Sequence, residues 1–175
     1  VHPSVPARNV KEYIALARSH PAKMKFAMIG AGQIPYWSVI LFNNMARIDA
    51  IEIQYKAIGE ALVGVISGEV DYTFTAAVGA VTNRAKLRAL AVTTTKRSPM
   101  LPDVPTMDEA ALPGYDMPGW RSILGPPGMR REIVDSLNSA IGRALAMPDV
   151  RDLFLKAGSE PLPGSPEGKD LDYLN

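Results

Sequence analysis

The hydrophobic pattern of the chain begins with a stripe of helical spacing. Val10 opens this stripe, and apolar residues return at positions 13, 14 and 17, as on the buried face of a helix. Asn9 and Glu12, three residues apart, have the spacing of a capping box, and Pro21 cannot continue a helix. The pattern therefore predicts a first helix that begins at Asn9 and ends just before Pro21.

Strands and helices then alternate as far as residue 94. Apolar runs predict strands at 23–28, 50–55, 70–75 and 87–94, and helical spacing predicts helices around 41–45, at 58–66 and, more weakly, at 78–84. Ser67 and Gly68 close the helix at 58–66, where a left-handed cap favours glycine. Such alternation favours crossover connections and a mainly parallel sheet with helices on both faces. The sequence therefore predicts a doubly wound α/β lobe.

A proline-rich stretch follows the last predicted strand. Prolines and glycines are dense from residue 98 to residue 127. Proline fixes φ and lacks an N–H donor, so we expect this stretch to make few helical turns and to wrap the lobe as extended chain. One short helical piece at 106–111 is expected to interrupt it, because Thr106 and Glu109 have capping-box spacing.

The C-terminal part returns to helical spacing. Apolar residues predict two packed helices, at 131–146 and at 148–157, with Gly158 as the stop of the second. A last helix is expected to start at Ser165-Pro166 and to be cut off at residue 175.

Composition and charge narrow the class of protein. The 175 residues are 47% hydrophobic and 21% charged, which is typical of one folded domain or large lobe. Lysine and arginine number 19 against 18 acidic residues, so the basic footprint of a nucleic-acid-binding protein is lacking. No apolar run approaches the roughly 20 residues of a membrane helix. Cysteine is absent, which removes disulfides and thiolate chemistry, and the first five residues show no signal-peptide pattern, which leaves the compartment open.

Candidate catalytic and metal-binding chemistry is sparse. The turn Gly30-Ala31-Gly32 suggests a dinucleotide-binding enzyme, but the G-x-G-x-x-G fingerprint needs glycine where Pro35 stands. His2 and His20 have neither a serine or aspartate frame for catalysis nor a carboxylate at metal-ligand spacing. We therefore predict no catalytic residue, no metal site and no cofactor. An effector-sensing domain of a transcriptional regulator would need a basic helix-turn-helix, which the sequence lacks.

A series of ordered sequence blocks covers essentially the whole chain. Tyr55-Lys56 with Gly59, followed by Gly68-Glu69-Val70-Asp71, resembles a Pro-Tyr-Lys-Gly block and a Gly-x-Val-Asp block at matching spacing. The most specific blocks are Lys-Leu-Arg-Ala-Leu-Ala-Val-Thr at 86–93, Lys-Arg-Ser at 96–98 and Leu-Pro-Asp-Val-Pro-Thr at 101–106. In this order the blocks resemble the substrate-binding receptors of the tripartite tricarboxylate transporter family.

This resemblance implies a fold, a function and a compartment. It implies a periplasmic-binding-protein-like lobe of type II at 1–118, followed at 119–175 by the hinge return and by C-terminal helices that belong to the other lobe. Such receptors bind a small organic mono-, di- or tricarboxylate in the periplasm and deliver it to membrane permease subunits, and they are not enzymes. Most of the family's first lobe has no counterpart in this sequence, so a truncated remnant that does not bind is the alternative.

The candidate ligand site follows two of the predicted strands. The family's binding loop reads Gly-x-Gly-Ser-Pro-Gln-His-Leu, and this chain keeps both glycines at 30–37 but replaces the serine and the histidine. A glycine turn between a strand and a helix aims unpaired backbone N–H groups at an anion. Thr75 ends another strand, at the edge where ligands collect in parallel sheets, and it replaces an aspartate that is frequent in the family. The resulting ligand-binding candidates are Gly30, Ala31, Gly32, Gln33, Ile34, Tyr36, Thr75 and Ala76.

These candidates also have plainer structural interpretations. The glycine turn is alternatively a purely structural strand-to-helix turn. Thr75 is alternatively the N-cap of the helix that follows it. Lys56 and Arg97 are assigned to the solvated surface, and Trp120 to hinge packing. Gln33 and the residue at 36 are larger than their family counterparts. We therefore expect bulkier side chains in the pocket and a ligand that differs from the family's commoner ones.

Overall fold

The computed structural model describes residues 1–119, 123, 125–157 and 159. It divides into two compact units, residues 1–119 and 120–175, close to the predicted boundary after residue 118. In the described residues the helices and strands are α1 (Val10–Ser19), β1 (Lys25–Ile29), α2 (Ile34–Ala46), β2 (Ile51–Tyr55), α3 (Ile58–Ile66), α4 (Ala77–Thr82), α5 (Met107–Ala110), α6 (Arg131–Ala146) and α7 (Pro148–Lys156).

The sheet of the first unit is parallel. Strands β1 and β2 pair from Lys25 opposite Ile51 to Ile29 opposite Tyr55. On the other side of β1, Tyr72 forms a parallel bridge with Phe26, and its carbonyl accepts a 2.9 Å hydrogen bond from the amide of Ala27. Three parallel stretches therefore lie side by side with β1 in the middle, which confirms the predicted α/β class with parallel strands.

Two predicted strands are wrong in extent. The stretches at 70–75 and 87–94 contribute single bridges, at Tyr72 and at Val92, rather than continuous strands. The first ladder stops because the carbonyl of Ala27 accepts from the hydroxyl of Thr73 at 3.2 Å. In the second stretch, Arg88 exchanges two 2.9 Å backbone hydrogen bonds with Val1. In both stretches, hydrogen bonds that a continuous strand would make are therefore replaced by bonds to a side-chain hydroxyl or to the chain terminus, which no strand pattern specifies.

Alternate residues of β1 face two separate hydrophobic cores. Phe26 and Met28 are buried among residues of α1 and α2, whereas Ala27 is buried with Ala61 and Val65 of α3. Successive side chains of a strand point to opposite faces of the sheet. Helices thus cover both faces, as in a doubly wound sheet.

The helix-capping hydrogen bonds formed largely as the sequence predicted. The side chain of Asn9 accepts from the amide of Glu12 at 2.9 Å. The Glu12 carboxylate accepts from the amide of Arg8 rather than closing the box on Asn9. At α5 both halves of the box are present, since the amide of Glu109 donates to the Thr106 hydroxyl and the amide of Thr106 donates to the Glu109 carboxylate.

The proline-rich stretch and the second unit also follow the sequence pattern. Within the described part of 98–127, the four-residue α5 is the one helix. Helices α6 and α7 match the predicted pair and contact each other. Gly158 and the predicted last helix lie outside the described residues. Among the helices that the structure describes, none combines the length and the hydropathy that crossing a membrane requires.

A close contact between α3 and the end of β2 allows a sharp test of the packing. A β-carbon on the buried Gly64 would lie 2.7 Å from Cζ of Tyr55, whereas one on Gly59 of the same helix would meet no atom within 4 Å. We expect Gly64→Ala to lower the free energy of unfolding by about 1–3 kcal/mol, because the ring must move. Gly59→Ala is the matched control and is expected to raise it by about 0.5–1 kcal/mol, since alanine favours helix. Urea denaturation measures both, and equal stability of the two variants would contradict the packing.

Candidate functional site

The two candidate loops lie at the same edge of the sheet. Residues 30–33 follow β1, and Thr75 and Ala76 follow the stretch that bridges β1 at Tyr72. Because neighbouring parallel strands end at one edge, the structure brings the two loops together there. Tyr55, the last residue of β2, reaches the same edge through its register with Ile29. The carboxyl ends of parallel strands are where ligands bind in open α/β sheets.

The loop between β1 and α2 depends on its two glycines. Gly30 and Gly32 have φ angles of +32° and +96°. Residues other than glycine rarely adopt positive φ angles. The amide of Gln33 donates to the carbonyl of Gly30 at 3.3 Å, and the carbonyl of Gln33 accepts from Tyr36 at 3.0 Å. This conformation turns the chain directly from the strand into α2, which has Pro35 in its first turn.

Three backbone amides at this turn remain available. Within the described chain, the N–H groups of Ala31, Gly32 and Ile34 donate to no protein acceptor. Ala31 and Gly32 are exposed, and Ile34 begins α2. Unpaired amides at a helix N-terminus carry partial positive charge and favour anions. The arrangement can therefore hold a carboxylate with main-chain donors.

The start of α2 is anchored from a distant part of the chain. Ser38 is buried, its hydroxyl donates to the carbonyl of Ile34 at 2.9 Å, and its own carbonyl accepts from the hydroxyl of Tyr115 at 2.9 Å. Burial raises the pKa of Tyr115, so this hydroxyl stays protonated and remains a donor. Sequence reasoning missed both residues, since nothing local in the proline-rich stretch indicated a contact with α2.

An aromatic pair lies on the same first turn. The rings of Tyr36 and Trp37 are 5.0 Å apart and nearly perpendicular, at 86°. Tyr36 packs in part against the larger core, whereas Trp37 is 52% exposed. The family resemblance suggested Tyr36 as a ligand contact but not Trp37, although both residues lie in the first turn of the helix that follows the glycine loop.

The side chain of Thr75 does not cap α4. The N-cap of that helix is Ala76, which offers no side-chain hydrogen bond, so the capping interpretation of Thr75 is wrong. Thr75 packs against Gly79 instead, where an added β-carbon would lie 2.7 Å from Oγ1. Its hydroxyl has no hydrogen-bonding partner among the described residues. This leaves a hydroxyl donor at the edge that also carries the glycine loop.

The two concavities described for the first unit lie apart from the candidate loops. A concavity of about 460 Å³ lies on the outer side of α3 and is lined by Tyr55, Gly59, Glu60, Val63, Gly64 and Glu69. Another, of about 330 Å³, lies beside residues 3–8. Neither contains the two loops. In this unit the residues of the two candidate loops lie along one edge of the sheet and form one wall of the candidate site.

The charged residues considered from sequence have surface environments. Nε of Arg97 lies 2.9 Å from the carboxylate of Glu109, and both side chains are almost half exposed. The amide of Thr106 and then the guanidinium of Arg97 lower the pKa of Glu109. Lys56 is exposed, and Trp120 lies outside the described residues. Across the ranges that the structure describes, no three histidine, aspartate or glutamate side chains gather as metal ligands would.

Comparison with protein families gives one match over nearly the whole chain. A model described as "Tripartite tricarboxylate transporter family receptor" matches residues 1–170. The UPF0065 protein in the tcbD-tcbE intergenic region of Pseudomonas sp. (strain P51) is 32% identical over 163 residues, which are 91% of this chain and 48% of that protein. Protein BugT of Bordetella pertussis is 29% identical, with coverage of 95% and 52%.

Solved structures of similar proteins share the fold. The Rhodopseudomonas palustris protein Rpa4515 with adipate superposes with a TM-score of 0.83 at 31% identity, over 95% of this chain and 56% of that one. MatC from the same organism, with bound malate, gives a TM-score of 0.80 at 32% identity, over 93% and 56%. The chain thus spans about half the length of the relatives that it matches.

Proposed function

Because this chain belongs to the tripartite tricarboxylate transporter receptor family, we propose that it binds a small organic carboxylate and delivers it to the membrane permease subunits of such a transporter. The observation that carries this proposal is the glycine turn after β1, whose unpaired amides offer an anion site at the carboxyl edge of a parallel sheet. Adipate and malate in the two similar structures support a carboxylate as the ligand.

The proposed contacts divide into main-chain donors and shaping side chains. The amides of Ala31, Gly32 and Ile34 donate to a carboxylate, and the glycines at 30 and 32 allow the backbone to approach it. The hydroxyl of Thr75 and the adjacent backbone of Ala76 supply the second side of the site. Gln33 and Tyr36 narrow the space beside the loop.

The remaining parts of the proposal concern location and architecture. We assign residues 1–118 to the second lobe of a two-lobed receptor, and 119–175 to the hinge return and C-terminal helices of the first lobe. Family membership supports a place in the periplasm and a binding role without a catalytic step. A chain that folds but binds no carboxylate is the second candidate, because the first unit supplies one wall of the proposed site.

The test is a titration of the 175-residue chain with malate and adipate, followed by amide chemical shifts in nuclear magnetic resonance spectra. We expect shifts at the amides of the glycine loop and at Thr75, with millimolar or weaker affinity. One helix N-terminus contributes roughly 0.3–1 kcal/mol, against several kcal/mol that association costs. Thr75→Val should weaken binding about fivefold, through loss of one hydrogen bond of about 1 kcal/mol. Ser19→Ala, which removes an exposed hydroxyl at the last residue of α1, should leave the affinity unchanged.

Two outcomes would count against this view. Absence of shifts in the glycine loop at high carboxylate concentration would favour the second candidate. Micromolar affinity of the isolated chain would show that one wall suffices, or that two chains complete each other's site.

A further inference from the structure

The site edge proposed above lacks charged side chains over two long stretches. Residues 30–46 contain no aspartate, glutamate, lysine or arginine, and residues 72–83 contain none either. Positive potential in these stretches therefore comes from the loop amides and the dipole of α2, which amounts to about half an elementary charge. That is enough to favour one carboxylate and falls short of neutralising two or three.

A second carboxylate against this wall would lack a partner. Burying an ionised group without a counter-charge or hydrogen bonds carries a large free-energy cost. Lys56 follows β2 at the same edge, but it is exposed, and an exposed pair contributes little. The charge pattern thus opposes a polyanion that lies along this wall.

Trp37 lies in the first turn of α2, shortly after the loop that carries the free amides. Ile34 and Trp37 are three residues apart and share one face of α2. Helical side chains lean toward the helix N-terminus, which directs the side chain of Trp37 toward the end of α2 that carries these amides. Its ring centroid lies 5.0 Å from that of Tyr36, and 52% of the Trp37 surface is exposed. Across the edge, Val78 at the start of α4 is also 36% exposed.

We propose that this wall selects a ligand with one carboxylate at the glycine loop and an apolar ring or chain against Trp37, which acts as the specificity-determining residue. The inference rests on the proposed function, since it requires the carboxylate to bind at the loop. A free amide supplies the anchor, and the exposed indole supplies apolar contact that a small polar acid cannot use.

The experiment compares acetate, benzoate, cyclohexanecarboxylate and citrate on the same chain, by amide and indole chemical shifts. Both ring acids are expected to bind about fivefold to tenfold more tightly than acetate, because they cover the exposed indole. Citrate is expected to bind no more tightly than acetate. The indole N–H of Trp37, identified by its loss in Trp37→Phe, should shift with the ring acids and stay unmoved with acetate.

Variants separate this inference from the proposed function. Trp37→Ala should bind all three monocarboxylates equally, at the affinity that acetate shows for the unchanged chain. Val63→Ala removes a 64% exposed apolar side chain of α3 and should preserve the preference for ring acids. If acetate shifts the loop amides but ring acids bind no more tightly, or citrate binds most tightly, the specificity inference is wrong and the proposed function stands. If no acid shifts the loop amides, the carboxylate site itself is wrong.

Discussion

Replacement of Tyr72 by alanine is expected to lower the free energy of unfolding by about 3–5 kcal/mol, as for other large buried aromatic residues. Tyr72 is 3% exposed. Its ring centroid lies 5.2 Å from that of Tyr13, 5.6 Å from Phe26 and 6.1 Å from Phe42. Its hydroxyl donates to Oδ1 of Asn43 at 2.7 Å. One substitution therefore removes the ring that joins α1, β1 and α2, and it leaves a cavity among them.

Two control variants separate the contribution of the Tyr72 ring from that of its hydroxyl and from the effect of an exposed substitution. Tyr72→Phe keeps the ring and should cost about 1 kcal/mol, through the lost hydrogen bond to Asn43. Val63→Ala, at an exposed position, should change stability by less than about 0.5 kcal/mol. Urea denaturation followed by far-ultraviolet circular dichroism measures all three. A cost for Tyr72→Ala no greater than for Tyr72→Phe would mean that the aromatic cluster does not organise the core.

The second large effect is expected at Arg88, which holds the N-terminal segment. Its Nη1 donates to the carbonyls of Val5 at 3.2 Å and Ala7 at 2.9 Å, and its Nη2 donates to that of Pro3 at 3.4 Å. Hydrogen bonds from charged groups contribute about 1.5–3 kcal/mol when partly buried. We expect Arg88→Ala to destabilise the chain by about 2–4 kcal/mol, because several carbonyls lose one shared donor.

The geometry of the guanidinium makes lysine a poor replacement. An ammonium group cannot reproduce the planar fork that spans three carbonyls, so Arg88→Lys should recover less than half of the lost stability. Arg84→Ala removes the same charge at an exposed position and should be nearly neutral. Hydrogen exchange at the amide of Ala7, which bonds to the carbonyl of Val5, should accelerate in Arg88→Ala and stay slow in Arg84→Ala. Equal exchange in the two variants would contradict a tethering role.

Helices and caps were predictable because their signals are local. The stripes at Ile58–Ile66 and Arg131–Ala146 gave both ends correctly, since periodicity and flanking glycine or proline lie within one segment. The stretches at 70–75 and 87–94 were overpredicted as strands. Their apolar pattern indicates extended chain, but the partner of each backbone group depends on distant residues such as Val1 and Thr73.

The position of the candidate site could be predicted from topology, whereas the side chains that surround and anchor the start of α2 could not. Alternating strands and helices place the loops after β1 and after Tyr72 at one sheet edge, which the sequence alone predicted. Trp37 went unnoticed because an aromatic residue in a helix is most often part of the core. The bond from Tyr115 to Ser38 joins residues 77 positions apart, and no local pattern encodes such a contact.

That long-range bond also orders events during synthesis of the chain. Ser38 and the turn that presents the free amides emerge early, while their buried partner Tyr115 is translated 77 residues later. Contacts of large sequence separation form late, since a long loop must close first. A nascent chain that has not yet reached residue 115 can form the secondary structure of α2, but it lacks the hydroxyl that fixes the beginning of this helix. The geometry of the proposed anion site should accordingly form only after the proline-rich segment has folded back.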